Sequence, residues 1–144
     1  MPKDYPDHHD AELVLRLYEL RREPVMRASR DALISRFLPR SFDDLRQVLQ
    51  REHPLNAPWR QVTTYWEMVY GMARHGVIHA DFLLESSGEG LVLFARVEPF
   101  LETLRAETSP RAFRNAEWVA TECEMGRSLM AAQRARLAKM LGAS

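Results

Sequence analysis

The sequence predicts an all-α fold, a single-domain helical bundle of five to seven helices over residues 1–144. Three observations predict it. Apolar residues recur at the spacing of one helix face along most of the chain. Helix-starting residues (Asp, Ser and Asn, with Pro in the first turn) and a stopping Gly76 punctuate the chain at helix-length intervals. The length of 144 residues with 46% apolar content suits one domain with a real core.

The elements follow in order. Residues 1–8 are expected to be a flexible N-terminus. Asp10 is a candidate cap for a helix AELVLRLYELRRE, in which Leu13, Leu17 and Leu20 step along one face. Pro24 removes a backbone donor and crowds the carbonyl of Leu20, so a bend or restart is expected there. At about 100° per residue, a straight helix would point Leu33 and Phe37 away from Leu13 and Leu17. Either a break at Pro24 returns both halves to one core, or the halves serve different partners. Ser41 with Asp44 resembles a capping box and opens a short helix, FDDLRQVLQRE. Asn56 and Pro58 open the next, in which Val62, Tyr65, Trp66, Val69, Tyr70, Met72 and Ala73 cover more than one face, as a central helix requires.

LVLFARV, residues 91–97, has strand-like composition but does not alternate. Phe94, Val97, Leu101 and Leu104 keep helical spacing across Pro99, which predicts a helix bent near Pro99; a strand ending before a Glu98 cap is the alternative. Ser109 with Pro110 opens a further helix. Its stripe of Val119, Cys123, Gly126, Met130, Leu137 and Leu141 runs toward the end of the chain, either as one long helix or divided near Gly126.

Residues 66–95, WEMVYGMARHGVIHADFLLESSGEGLVLFA, also resemble part of a winged helix. SFDDLRQVL would be the second helix, residues 59–75 the reading helix, and a hairpin around residues 84–95 the wing. That resemblance implies a winged-helix-like α+β fold and a DNA-binding transcriptional regulator. The reading helix, however, offers DNA only Arg60, Gln61, Thr63, Thr64 and Arg74, while its aromatics demand burial. The preceding turn also exceeds the roughly three or four residues typical of a helix-turn-helix.

Twenty basic residues balance twenty acidic ones, so no net field favours nucleic acid or an anionic membrane surface, and nucleic acid is not the expected partner. The basic residues are skewed, with 18 arginines against Lys3 and Lys139, but the skew runs along the whole chain. A single cysteine excludes an internal disulfide and a multi-cysteine zinc site. The opening MPKDYPDHHD lacks an apolar signal region, and Glu67 and Arg74 interrupt the best candidate span, so a cytoplasmic protein without a membrane partner is expected.

Candidate chemistry is sparse. His8 and Glu12 have helical ligand spacing, but two groups make a poor metal site; no metal and no cofactor are expected. Cys123 lies between two glutamates, which disfavours a thiolate, and no catalytic residue is assigned. "SSGEG" has neither the lysine nor the spacing of a phosphate loop. Trp59, Tyr65, Trp66 and Tyr70 form a candidate pocket for a small apolar ligand, with core packing as the alternative. Arg21, Arg22, Arg27 and Arg30 are candidates for an acid or phosphate, with Glu23, Asp31 and the upstream carboxylates close enough to neutralise much of their charge. The stripe Val119, Cys123, Gly126, Met130, Leu137 and Leu141 is a candidate homodimer interface, with packing onto its own bundle as the alternative.

The expected function is therefore that of a non-catalytic helical protein acting through protein–protein interaction or self-association. A DNA-binding regulator and a small-ligand-binding protein using the aromatic helix are the alternatives.

Overall fold

A computed structural model of the chain describes residues 3–142 and shows, among them, nine α-helical segments, one 3-10 turn and no strand. The helices are α1 His8–Arg22, α2 Pro24–Arg36, α3 Phe42–Val48, α4 Asn56–Arg74, α5 Ala80–Leu84, α6 Glu89–Val97, α7 Leu101–Glu107, α8 Arg114–Glu122 and α9 Glu124–Gly142. The all-α expectation holds. The segments outnumber the expected five to seven because breaks at Glu23, at the 3-10 turn Glu98–Phe100 and at Cys123 divide longer helical stretches. The wing is absent: α6 occupies the second half of the span 84–95. Residues 90–97 are apolar nearly all round and all but Val92 are buried, so the stretch fits a core helix, where composition alone suggested a strand.

The break at Pro24 answers the phase question between α1 and α2. Glu23 is extended, with ψ 138°; it ends α1, and its side chain accepts from the Met26 amide at 2.9 Å to cap α2, with Pro24 at the first helical position. The turn brings Leu17 and Leu33 into one core. It also sets the rotation of α1, burying Arg21 and leaving Leu20 exposed.

Helix α4 is the central element, with α2 and α8 packed on it, while α9 lies against α6 and α8. Two glycines permit the closest approaches. A Cβ on Gly90 would come within 2.6 Å of the Tyr70 ring, and one on Gly126 would collide with the carbonyl of Val119 where α9 folds back on α8. Helix α8 starts later than Ser109–Pro110 suggested. Residues 109–113 are irregular, Phe113 takes a left-handed conformation with φ 57°, and the helix begins at Arg114. Its cap is the carboxylate of Glu67 on α4, which accepts from the Asn115 and Ala116 amides at 3.1 and 2.9 Å. Burial pushes the Glu67 carboxyl up, against these hydrogen bonds and the nearby Arg105 and Arg74, which favour its charge.

The N-terminal segment is tied to this body. Asp7, not Asp10, caps α1, accepting from the His9 and Asp10 amides. Asp10 is fully buried and accepts from Lys3 Nζ at 3.0 Å, the Asp7 amide at 2.8 Å and the His79 amide at 2.9 Å. Within residues 1–8, the N-terminus expected to be flexible, Lys3 and Asp7 thus contact Asp10, while residues 1 and 2 lie outside the described residues. Burial alone would raise the Asp10 carboxyl, but the backbone bonds and Lys3 outweigh it and hold it at about 2. A carboxyl whose folded value lies below its ordinary 3.8 stabilises the fold above that pH and ceases to do so as the pH falls toward about 2. The urea midpoint is therefore expected to drop between pH 5 and pH 2.5, and the drop should be smaller in Asp10→Asn. An equal acid sensitivity in both proteins would remove Asp10 as its source.

Candidate functional site

The aromatic cluster expected to line a pocket is core. Trp59, Tyr65, Trp66 and Tyr70 are all buried, and Trp66 packs on Tyr65 and Tyr70 with ring centroids 5.0 and 5.4 Å away. The two hydroxyls are spent on the backbone: Tyr65 donates to the Leu17 carbonyl at 2.7 Å and Tyr70 to the Ser87 carbonyl at 2.8 Å. Trp59 alone borders a cleft, of about 330 Å³, shared with Thr63, Glu67, Leu104 and Phe113.

The stripe expected to be a dimer seam is also largely used within the chain. Val119, Cys123, Gly126 and Met130 are buried where α9 meets α6 and α8, and only Leu137 and Leu141 are half-buried. The regular spacing spans two helices that fold back at Cys123, so it matches core positions of one bundle. Burial pushes the Cys123 thiol up to about 11, with Asp81 and Glu122 adding to the effect. Among the described residues no group of three or more His, Cys, Asp or Glu could hold a metal ion. On the supposed DNA-reading helix, Arg60 and Arg74 are engaged by Asn56 and Asn115.

The arginines singled out in the sequence do converge. Arg21 and Arg22 end α1, Arg27 and Arg30 lie in the first two turns of α2, and the bend at Glu23 folds them around a concavity of about 370 Å³ that Tyr18 completes. Two of them cap α1. Arg27 Nη2 donates to the Arg22 carbonyl at 3.0 Å and Arg30 Nη1 to the Arg21 carbonyl at 3.1 Å, cations against the negative end of a helix. Arg30 also forms a two-pronged pair with Glu89 at the start of α6, with Nε and Nη2 at 2.8 and 3.0 Å from the two carboxylate oxygens.

Arg21 is the unusual member. It is 5% exposed, yet its partners are neutral: the Tyr65 hydroxyl at 3.0 Å, Ser87 Oγ at 3.4 Å and the Ser86 carbonyl at 3.4 Å. Its guanidinium lies 5.2 Å from the Trp66 ring and 5.7 Å from the Tyr18 ring, a contact that desolvation strengthens. Arg22 approaches Tyr18 at 5.6 Å. Among the described residues, none of Arg21, Arg22 and Arg27 forms an ion pair. The offset expected from Glu23 and Asp31 does not take the form of ion pairs: Glu23 is committed to capping α2, and Asp31 pairs with none of the four.

The elbow thus carries four guanidinium groups and two carboxylates, Glu89 paired with Arg30 and Glu23 at the bend, in a chain whose total charge is zero. Its forks can grip the oxygens of an anion. The sequence missed Tyr18, Ser86, Ser87 and Glu89 as its surroundings. One signal was available: Arg21 lies one helical turn beyond Leu17, on the buried stripe of α1, where a cation needs a reason to be.

Compared with known families, the chain matches over residues 6–123 a model described as a domain of unknown function, DUF4760. No curated protein and no solved structure matches it. The whole elbow lies inside the matched span.

Proposed function

The chain belongs to the DUF4760 family, and from the elbow we propose that it is a non-catalytic binding protein that acts by holding an anionic group of a ligand or partner. The observation that carries this reading is Arg21, a buried cation that forms no ion pair among the described residues. Burying an unpaired charge is costly, and neutral hydrogen-bond partners offset only part of the cost. An anion seated between Arg21, Arg22 and Arg27 would supply the missing charge. Self-association through the α9 stripe is the less favoured interaction, because Val119, Cys123, Gly126 and Met130 would first have to leave α6 and α8.

The test is thermal unfolding in sulfate and in chloride at equal ionic strength. Sulfate stabilises many proteins without a site, so the discriminating comparison is with Arg22→Gln/Arg27→Gln, two exposed positions. The native chain should show a saturable rise in its midpoint that the double variant lacks. An identical response in both proteins would overturn the reading.

A second reading rests on Phe113. A buried non-glycine residue held left-handed is a strained conformation that recurs at ligand sites, and this one lines the 330 Å³ cleft beside Trp59. That cleft is the place where a small apolar ligand would be taken, in the sense the aromatic helix first suggested.

A further inference from the structure

We propose that the elbow selects a phosphate monoester in its dianionic form, carried on a small soluble molecule. This rests on the anion-binding reading above and narrows it. Charge count is the first argument. Arg30 and Glu89 form an internally neutral pair, and the Glu23 carboxylate at the bend offsets one of the three charges of Arg21, Arg22 and Arg27 without forming an ion pair, so four guanidinium groups stand against two carboxylates. A single carboxylate would leave one of the two surplus charges unmatched, and a dianion leaves none. Number of acceptors is the second. Three guanidinium groups from two helices line one concavity, with part of the Arg21 and Arg27 donors already used within the chain, and a phosphoryl group offers three terminal oxygens in a tetrahedral arrangement where a carboxylate offers two in a plane.

Depth is the third argument, and it selects the source. Arg21 is 5% exposed, while Arg22 and Arg27, which line the same concavity, are exposed. A concavity of about 370 Å³ admits a phosphate with a modest organic group. A phosphate fixed in the plane of a bilayer meets the exposed Arg22 and Arg27 more readily than the buried Arg21, whereas a free molecule can enter the concavity. The Tyr18 ring, 47% exposed and flanked by Arg21 and Arg22, offers the organic part an apolar wall.

The probes are phenyl phosphate, sulfate, benzoate and vesicles containing phosphatidic acid, with binding followed by calorimetry. The titratable and charged groups around Arg21 are Tyr18 and Arg22 on α1, Glu23 at the bend, Arg27 and Arg30 on α2, Tyr65 and Tyr70 on α4 and Glu89 on α6. A phosphomonoester takes its second charge with a pKa of about 6. Phenyl phosphate should therefore bind about tenfold more weakly at pH 5 than at pH 7.5, following its dianion fraction, while sulfate, a dianion throughout, stays constant. Benzoate should bind at least about tenfold more weakly than phenyl phosphate at pH 7.5, a difference of about 1.4 kcal/mol. Arg22→Gln/Arg27→Gln, checked for folding by circular dichroism, should lose the phenyl phosphate signal.

Benzoate binding as tightly as phenyl phosphate would overturn the dianion proposal and leave the anion-binding function standing. A parallel pH change for sulfate would overturn it too, since the protein and not the ligand would then be titrating. Vesicle binding tighter than that of phenyl phosphate would overturn the choice of a soluble ligand. Failure of every anion, sulfate included, would take the function with it.

Discussion

Trp66→Ala is expected to lower stability by about 3–5 kcal/mol, the usual cost of deleting a buried indole. The ring is 4% exposed and packs against Tyr65 and Tyr70, with the Arg21 guanidinium over it. Small domains hold a total stability of about 5–15 kcal/mol, so this one change would consume a large share. Trp66→Phe should be milder than the alanine change, because most of the aromatic volume is kept and the cavity left is smaller. The indole nitrogen is fully buried and has no hydrogen-bond partner among the described residues, so its removal leaves no donor or acceptor newly orphaned. Urea denaturation followed by circular dichroism measures both. An unchanged midpoint for the alanine variant would mean that Trp66 is not a core side chain.

Gly126→Ala is expected to cost about 3 kcal/mol or more, at or beyond the upper end of overpacking effects. In an ordinary helix interior the same change stabilises by about 0.5–1 kcal/mol, so here the sign itself is the test. The new methyl group would lie 2.9 Å from the Val119 carbonyl carbon, closer still to its oxygen, and 3.3 Å from Cys123 Cβ. Two of those three atoms are backbone and cannot rotate aside. Gly142, also in α9, has open space around it, so Gly142→Ala should be neutral or slightly stabilising. If Gly126→Ala behaves like Gly142→Ala, the tight return of α9 onto α8 is not present.

Much of this architecture is written locally. Pro24 after an apolar stripe marked the α1–α2 bend, Ser41 marked the start of α3, and the helical spacing of Phe94, Val97, Leu101 and Leu104 outweighed the strand-like composition of residues 91–97. Each of these signals acts within a turn or two of the residue that carries it. What the sequence hid depends on distant partners. The Ser109–Pro110 start was overruled because the α8 cap comes from Glu67, 48 residues earlier. The rotation that buries Arg21 needs acceptors from Tyr65, Ser86 and Ser87. The near-heptad spacing from Val119 to Leu141 looked like a seam between chains because periodicity shows which face is apolar and not what covers it.

The distant cap of α8 bears on the order of folding. An isolated nine-residue helix is too short to persist in water, and this one has no side-chain cap of its own and a strained residue at its entrance. It becomes worth forming only once α4 has presented Glu67. Closure of that long loop must come first, which places α8, and α9 folded against it, among the late events on the path to the native state. Substitutions that weaken the Glu67 contact should thus chiefly accelerate unfolding and leave the refolding rate nearly unchanged.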